Sequence, residues 1–496
     1  MVEIGIVVGE ARPERIKFFT KEAVRVGEFV VTDTVDGRVL YLVESSKLES
    51  KLLSSVGDYI TAIEAKEASK ANPRDVVRYC AARAVGLIEG VLKGRRVYPT
   101  LPPEPGSAVF LAEDDLLRQI FHNDSREWVE VGRLLRRDGV IVSINLNKVA
   151  SRHLAILAAT GKGKSNLLAL LAKETAEKNG TMIILDYHAE YCKLKIEKAR
   201  FVTPRINPRH LDSEELADML DIRSDATRQR GILGRAYNKN VASSPNFWEA
   251  LKKNLEDIVE NEETDFQAKV TAERVLEIID RGLAIKGNIF NTETESPLDI
   301  IEPNRINVLD LSGFTEIQAQ IIVARYLTEI LNDRKNATLG RRSRFKSPVV
   351  IAVEEAHTFI PYDRKSKCSD VLARIAREGR KFGVSLILVS QRPCKLDADV
   401  ASQMGSFAVS GLTHPKDQDF VMEVTDEVST ELGASLPSLN TGEMILAGQW
   451  VTVPALVKVD LIEEKVIGMD LNAIEMWAED VNVGYRRIST EELIRL

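Results

Sequence analysis

HLAILAATGKGKSNLLALL, His153 to Leu171, decides the fold. An apolar strand runs into a loop of small residues and then into a leucine-rich helix. The loop, Ala158-Ala159-Thr160-Gly161-Lys162-Gly163-Lys164-Ser165, matches the phosphate-loop pattern G-x-x-x-x-G-K-S except that Ala158 stands in place of the first glycine. Gly161 and Gly163 let backbone N–H groups turn inward around phosphate oxygens with no Cβ in the way. The helix beginning near Lys164 brings the positive end of its dipole to the same point. Lys164 reaches the β- and γ-phosphates, and the Ser165 hydroxyl ligates Mg2+. Thr160, Gly161, Lys162, Gly163, Lys164, Ser165 and Asn166 are the expected nucleotide-lining residues. Ala158 is acceptable if its backbone avoids a glycine-only conformation.

Outward from this loop, from about residue 140, strands alternate with helical stretches: HLAIL, TMIILD, INVLDL, PVVIAVEE, VSLILVSQ, GSFAVSG, GEMILAG and ALVKVDL. Several are near-continuous apolar runs, as expected of strands buried on both faces of a parallel sheet. Between the second and third lies an insertion of about 208–300. Its segments HLDSEELADML, FWEALKKNLEDIVEN and AKVTAERVLEIIDRGL have helical periodicity. The first 135 residues are β-rich, with runs such as VEIGIVV, EFVVTDT and RVLYLVES, and read as a small barrel or sandwich. Residues 461–496 are polar and read as a C-terminal arm. The expected organisation is therefore α/β: an N-terminal β-domain (1–135), a P-loop core (136–460) with its helical insertion, and an arm.

The chemistry beyond phosphate binding is sought at strand ends. SPVVIAVEEAH, Ser347 to His357, is an apolar strand ending in Glu354-Glu355. A P-loop ATPase needs one carboxylate near the metal's water shell and another to orient the attacking water. Glu354 is assigned to magnesium and Glu355 to catalysis. GVSLILVSQRP, Gly383 to Pro393, ends another buried strand in Gln391, an amide suited to sensing the γ-phosphate because it carries no charge and does not titrate. ARIAREGRKFG, Ala373 to Gly383, supplies Arg380 as a cation acting on a neighbouring subunit's nucleotide, a device that accelerates hydrolysis by roughly 10³–10⁵. Arg152 is a second candidate for facing a nucleotide in trans. Asp186 and Glu190 in ILDYHAEY are expected to tune the site. His188 and His357 read more simply as exposed or core-satisfied histidines, and His153 follows Arg152 just before the first core strand.

Composition narrows the class. The 496-residue chain exceeds what one core supports, so two or three domains are expected. No apolar run approaches the ~20 residues of a membrane helix, and the N-terminus lacks signal-peptide features. The four cysteines lack metal-type spacing and read as reduced thiols of a cytoplasmic protein. A net charge of -7 argues against a uniformly nucleic-acid-coating surface, so any such contact is local.

Taken together, SRHLAILAATGKGKSN, ILDYHAEY, VVIAVEEAH, IAREGRKFGVSLILVSQRP and SLNTGEMILAG resemble the HerA helicases of archaea, within the HerA/FtsK group of P-loop motors. The resemblance covers most of the chain, and the β-rich start, including LPPEPGSAVF, is similar to the barrel that precedes the HerA motor. It implies a RecA-like core in a homo-hexameric ring around double-stranded DNA. It also implies ATP and Mg2+ as cofactors, and partnership with the NurA nuclease, docked on the barrel, and with Mre11–Rad50 in resecting broken ends. By position, Lys164 and Ser165 match the family's phosphate-loop pair, Glu355 its catalytic glutamate, Gln391 its polar sensor and Arg380 its arginine finger. Two departures are Ala158 and Glu354, the latter where the family commonly has Asp.

A ring that moves duplex DNA touches phosphates without reading bases. Arg364, Lys365 and Lys367, in IPYDRKSKCSD after the catalytic strand, are the expected DNA contacts. Competing readings are a P-loop pump of the conjugation or packaging type, a rotary-ATPase-type subunit, and a nucleotide-gated scaffold that does not translocate.

Overall fold

A computed structural model describes residues 2–464 apart from 73, 287–288 and 294–295. The expected C-terminal arm therefore lies, beyond 464, outside the described residues. Six strands form the first domain: β1 (Glu3–Val7), β2 (Arg15–Thr20), β3 (Phe29–Thr34), β4 (Gly37–Ser50), β5 (Val76–Leu87) and β6 (Ala108–Leu111). They close into a barrel in the order β1-β2-β5-β4-β3-β6. Alternation decides what each face does. Val30, Val39, Tyr41 and Val43 point inward with Ile16 and Phe18. Phe29, Val31, Leu40 and Leu42, on the other face of the same two strands, join the larger core of the second domain. One wall of the barrel is thus buried on both sides, and this fastens it to the motor. A helix that the β-rich pattern does not announce, Tyr59–Ala71, lies between β4 and β5, capped by the Asp58 carboxylate accepting from the Ile60 and Thr61 N–H groups.

The barrel stops at Leu111, short of the expected boundary at 135. The next two strands, β7 (Trp128–Leu134) and β8 (Arg137–Asn145), form a hairpin in the second sheet. The reason is burial: Val129, Val131 and Leu134 alternate toward the motor core, and β7 pairs with a strand near the far end of the chain.

The second sheet contains β9 (Leu154–Ala158), β10 (Thr181–Asp186), β11 (Ala199–Val202), β12 (Ile306–Asp310), β13 (Val349–Val353), β14 (Val384–Ser390), β15 (Ser406–Ser410), β16 (Glu443–Gly448) and β17 (Ala455–Val459). Its order is β11-β12-β10-β13-β14-β9-β15-β16-β17-β7-β8. The seven strands from β11 to β15 in that order run parallel, and the remaining neighbours pair antiparallel. β9, β10, β13, β14 and β15 are buried along their whole length, as their largely apolar composition requires. The helical insertion follows β11 with helices Ser213–Met219, Thr227–Ala236, Lys239–Ser243, Phe247–Glu260 and Phe266–Lys286.

In such a sheet, ligands bind beyond the carboxyl ends of the parallel strands. Here β9, β10, β13 and β14 deliver the phosphate loop, Asp186, Glu354-Glu355 and Gln391 to one edge.

Candidate active site

The phosphate loop follows β9 and leads into the helix Lys164–Glu177, whose Leu167, Leu168 and Leu171 anchor it in the core. Gly161 and Gly163 have φ of 74° and 102°, a region closed to most side chains. Ala158 ends β9 and is absent from the residues of positive φ, so the missing first glycine is tolerated. The Lys164 ammonium donates to the Ala158 and Ala159 carbonyls at 2.8 and 3.1 Å. Thr160 Oγ1 donates to Gln391 Oε1 at 2.5 Å, which puts the Gln391 amide against the loop.

Four carboxylates crowd the strand ends. Asp186 and Glu354 are 0% and 3% exposed and share a proton; burial and repulsion from Asp186 push Glu354 up to about 9, and burial raises Asp186 against the opposing effect of the hydrogen bond from Glu354. Glu354 Oε2 also accepts from the Tyr187 and His188 N–H groups at 2.9 and 3.2 Å, and Asp186 accepts from those of Glu190 and Tyr191. Glu190 takes the Ser165 hydroxyl hydrogen bond. Glu355 has a φ of 46°, a strained backbone for a non-glycine residue, as is common at functional sites. Burial raises its carboxyl, and Lys164 opposes the rise. Its Oε2 lies 3.1 Å from His357 Nδ1, outside hydrogen-bonding geometry, and among the described residues is otherwise a buried acceptor without a partner. His357 is itself pushed down to about 4 by burial and nearby cations, so it is neutral there at neutral pH. The result is a buried carboxyl group near Lys164 with one oxygen free of hydrogen bonds among the described residues.

Comparison with known proteins identifies the family. A model of the helicase HerA central domain matches residues 129–330. The DNA double-strand break repair helicase HerA of Sulfurisphaera tokodaii is 35% identical over 489 residues, covering 96% of each chain. That of Sulfolobus acidocaldarius is 34% identical over 509 residues, covering 99% of this chain and 98% of its own. The chain belongs to the HerA helicase family. Among solved structures, VirB4 of Thermoanaerobacter pseudethanolicus aligns with 70% of this chain and 100% of its own, at 17% identity and a TM-score of 0.49. As a HerA-family member, the chain is an ATP-hydrolysing enzyme of the helicase and translocase class.

Not every expected residue faces the HerA phosphate loop. Asn166 is turned away: its amide donates to the Asp460 carbonyl at 2.8 Å and accepts from Ile462 N–H at 3.2 Å, so it holds the chain beyond β17. The Lys162 ammonium donates to the Leu439 carbonyl at 2.7 Å, away from the cradle. Glu354, expected to face the metal, is committed to Asp186 and two backbone N–H groups, while Glu190 stands at Ser165 instead; a loop after β10 brings it there. Arg380 is exposed in the last turn of the helix Ser369–Phe382, and Arg152 ends the helix Leu146–Arg152 just before β9. Both therefore sit at the amino-terminal edge of the sheet. Five residues of β9, roughly 16 Å, separate that edge from the protein's own phosphate loop.

Arg364, Lys365 and Lys367 follow β13 on the nucleotide edge and pair with Glu316, Asp370 and Asp218 at 2.6, 3.3 and 3.6 Å. Sequence reading missed their neighbours Tyr362 and Lys395. The Lys395 ammonium lies 4.8 Å from the Tyr362 ring centre, and Tyr362 N–H donates to the Lys395 carbonyl at 3.0 Å. This joins the loop after β13 to the loop after β14. A cleft of about 670 Å³ runs from Thr160 past Gln391 and Arg392 to Lys395 and Lys416. Among the described residues no helix is long and apolar enough to cross a membrane.

Proposed function

We propose that this HerA-family enzyme translocates on double-stranded DNA as a homo-hexameric ring and serves double-strand-break end resection with a NurA nuclease docked on its barrel. Mre11–Rad50 is the proposed further partner in that resection. The observation that carries this reading is a shared sheet edge: the loops bearing Glu355 and Gln391 continue directly into the basic segments Arg364–Lys367 and Arg392–Lys395. A shift of either catalytic side chain on hydrolysis is transmitted within a few residues to a cationic surface suited to phosphates. The relatives' role as break-repair helicases supports the substrate.

In the proposed mechanism, Lys164 and the loop N–H groups hold the triphosphate. Glu355 orients the attacking water and accepts its proton at the unpartnered Oε2. Gln391, held by Thr160, reports the γ-phosphate. Arg380, with Arg152, reaches the nucleotide of the adjoining subunit, because the distance across β9 keeps both from their own.

The residues fit Mg2+. Ser165 and Glu190 offer oxygen donors of the hard kind that magnesium prefers, with Glu354 one layer behind. Among the described residues no group of three His, Cys, Asp or Glu side chains forms a ready metal cage, which suits an ion that keeps its waters and is held largely by substrate phosphates. When bound, the ion would neutralise charge on the β- and γ-phosphates.

The test is ATPase activity of the purified chain with and without linear duplex DNA, alongside imaging of the assembly. Stimulation by duplex and a six-membered ring are expected. Hydrolysis indifferent to every DNA added, or a chain that stays a lone protomer with DNA and nuclease present, would overturn the proposal; the first result would favour a pump for another cargo.

A further inference from the structure

Lys162 occupies a variable position of the phosphate-loop pattern, yet its side chain is held in place at both stem and ammonium. Its stem crosses Gly411, the residue after β15: a Cβ there would lie 2.4 Å from Lys162 Cδ and Cγ. Gly411 is also at a φ of 55°, so both space and backbone keep that position open for the lysine. Beyond the crossing, the ammonium donates to the Leu439 carbonyl at 2.7 Å. The backbone continues the attachment, with Gly442 N–H donating to the Lys162 carbonyl at 3.1 Å and Thr441 Oγ1 to the Gly161 carbonyl at 3.0 Å. A Cβ on Gly163 would stand 3.3 Å from Gly442 Cα, so the two backbones pass close together. The segment 439–442 thus lies across the phosphate loop as a strap.

The strap is itself braced. Lys458 on β17 donates to the Thr441 carbonyl, and the Glu443 carboxylate accepts from Asn440 N–H at 2.9 Å. Glu443 begins β16, which is paired on both sides, with β15 and β17. The phosphate loop is therefore tied to a part of the sheet that is braced on both sides.

We propose that Lys162 is a positioning residue for ATP hydrolysis, holding the phosphate loop in its cradle shape through the strap 439–442 rather than by contact with the nucleotide. A loop held in the binding shape before ATP arrives loses less freedom on binding. The effect is felt by every phosphate the cradle grips, and not by the cleavage step once the cradle is filled. This rests on the reading of the chain as an ATPase.

The experiment uses the full chain and compares Lys162→Met, Lys162→Arg, Thr441→Val and the Lys162→Met/Thr441→Val pair. The readouts are steady-state ATP hydrolysis and the Kd for ADP and for a non-hydrolysable ATP analogue. Lys162→Met keeps the stem over Gly411 and removes the charge. Its expected effect is a rise in KM of roughly 3- to 30-fold, the size of one partly exposed charge-assisted hydrogen bond, with kcat at saturation within about twofold. ADP and the analogue weaken by the same factor, Lys162→Arg restores binding, and Thr441→Val gives a smaller rise. The double variant falls short of the product of the two single effects, because both release one strap. A fall in kcat with KM unchanged, weakening confined to the ATP analogue, or fully multiplicative losses would each overturn the proposal. Should Lys162→Met not fold, Thr441→Val alone carries the test, since unchanged nucleotide affinity in it refutes the strap. A wild-type chain that binds both nucleotides but hydrolyses none defeats the ATPase reading, while the Kd series still judges the strap.

Discussion

Replacing Glu354 with glutamine makes the enzyme's stability less sensitive to alkali. In the folded chain this carboxyl holds its proton up to about 9, against an ordinary value of 4.5. The cause is burial at 3% exposure beside Asp186. A group with a raised folded pKa adds no penalty below its unfolded value. Between about 4.5 and 9 the unfolded chain releases a proton that the folded chain keeps, so stability falls as pH rises through that window. The slope is about 1.4 kcal/mol per pH unit for one proton. From pH 5 to pH 8 it sums to at most about 4 kcal/mol. Unfolding entropy of about 2.1 cal/mol/K per residue, over 496 residues, makes this roughly 4 °C in Tm. Glu354→Gln can keep the donor hydrogen bond to Asp186 without a proton to lose. Thermal and urea unfolding of both proteins at pH 5, 6, 7 and 8 should show the wild type descending relative to the variant. Parallel pH profiles would refute the account of a shared proton.

Three further outcomes follow from the site. Glu355→Gln should bind ATP with near-wild-type Kd and lose turnover by at least about 10²-fold, on the scale of a lost general base; single-turnover hydrolysis checks it, and near-normal rates would remove Glu355 from its role. Lys164→Ala should abolish hydrolysis. Rings mixed from Arg380→Ala and Glu355→Gln subunits should recover activity that neither variant shows alone; no recovery across mixing ratios counts against action in trans. Arg96 of the barrel domain donates to the Gly448, Val451 and Thr452 carbonyls and pairs with Glu427, so Arg96→Ala leaves several acceptors unmatched between barrel and motor. Faster amide exchange in β16 and in the barrel wall of β3 and β4 is expected, at about 2–4 kcal/mol lower local stability; unchanged exchange would show that apolar packing alone holds the domains.

The local sequence determined a great deal. The phosphate loop, the apolar strands and the polar residues ending them are contiguous signals, each set by backbone geometry or by burial on two faces. The eight strand segments read from the sequence all form, and Lys164, Ser165, Glu355 and Gln391 meet at one edge because parallel strands share a direction. What depends on partners distant in the chain was not legible. β7 left the barrel for the motor sheet because its inward valines find a core there, and alternation alone does not say which core. Lys162 and Asn166 sit in the right motif but turn to carbonyls nearly three hundred residues away, at Leu439 and Asp460. Glu190 reached Ser165, and Glu354 settled against Asp186, only when β9, β10 and β13 were laid into one sheet. A motif fixes which chemical groups arrive at an edge. Which of them share a proton, a carbonyl or a metal is decided by distances of a few ångströms that exist only after the strands are paired.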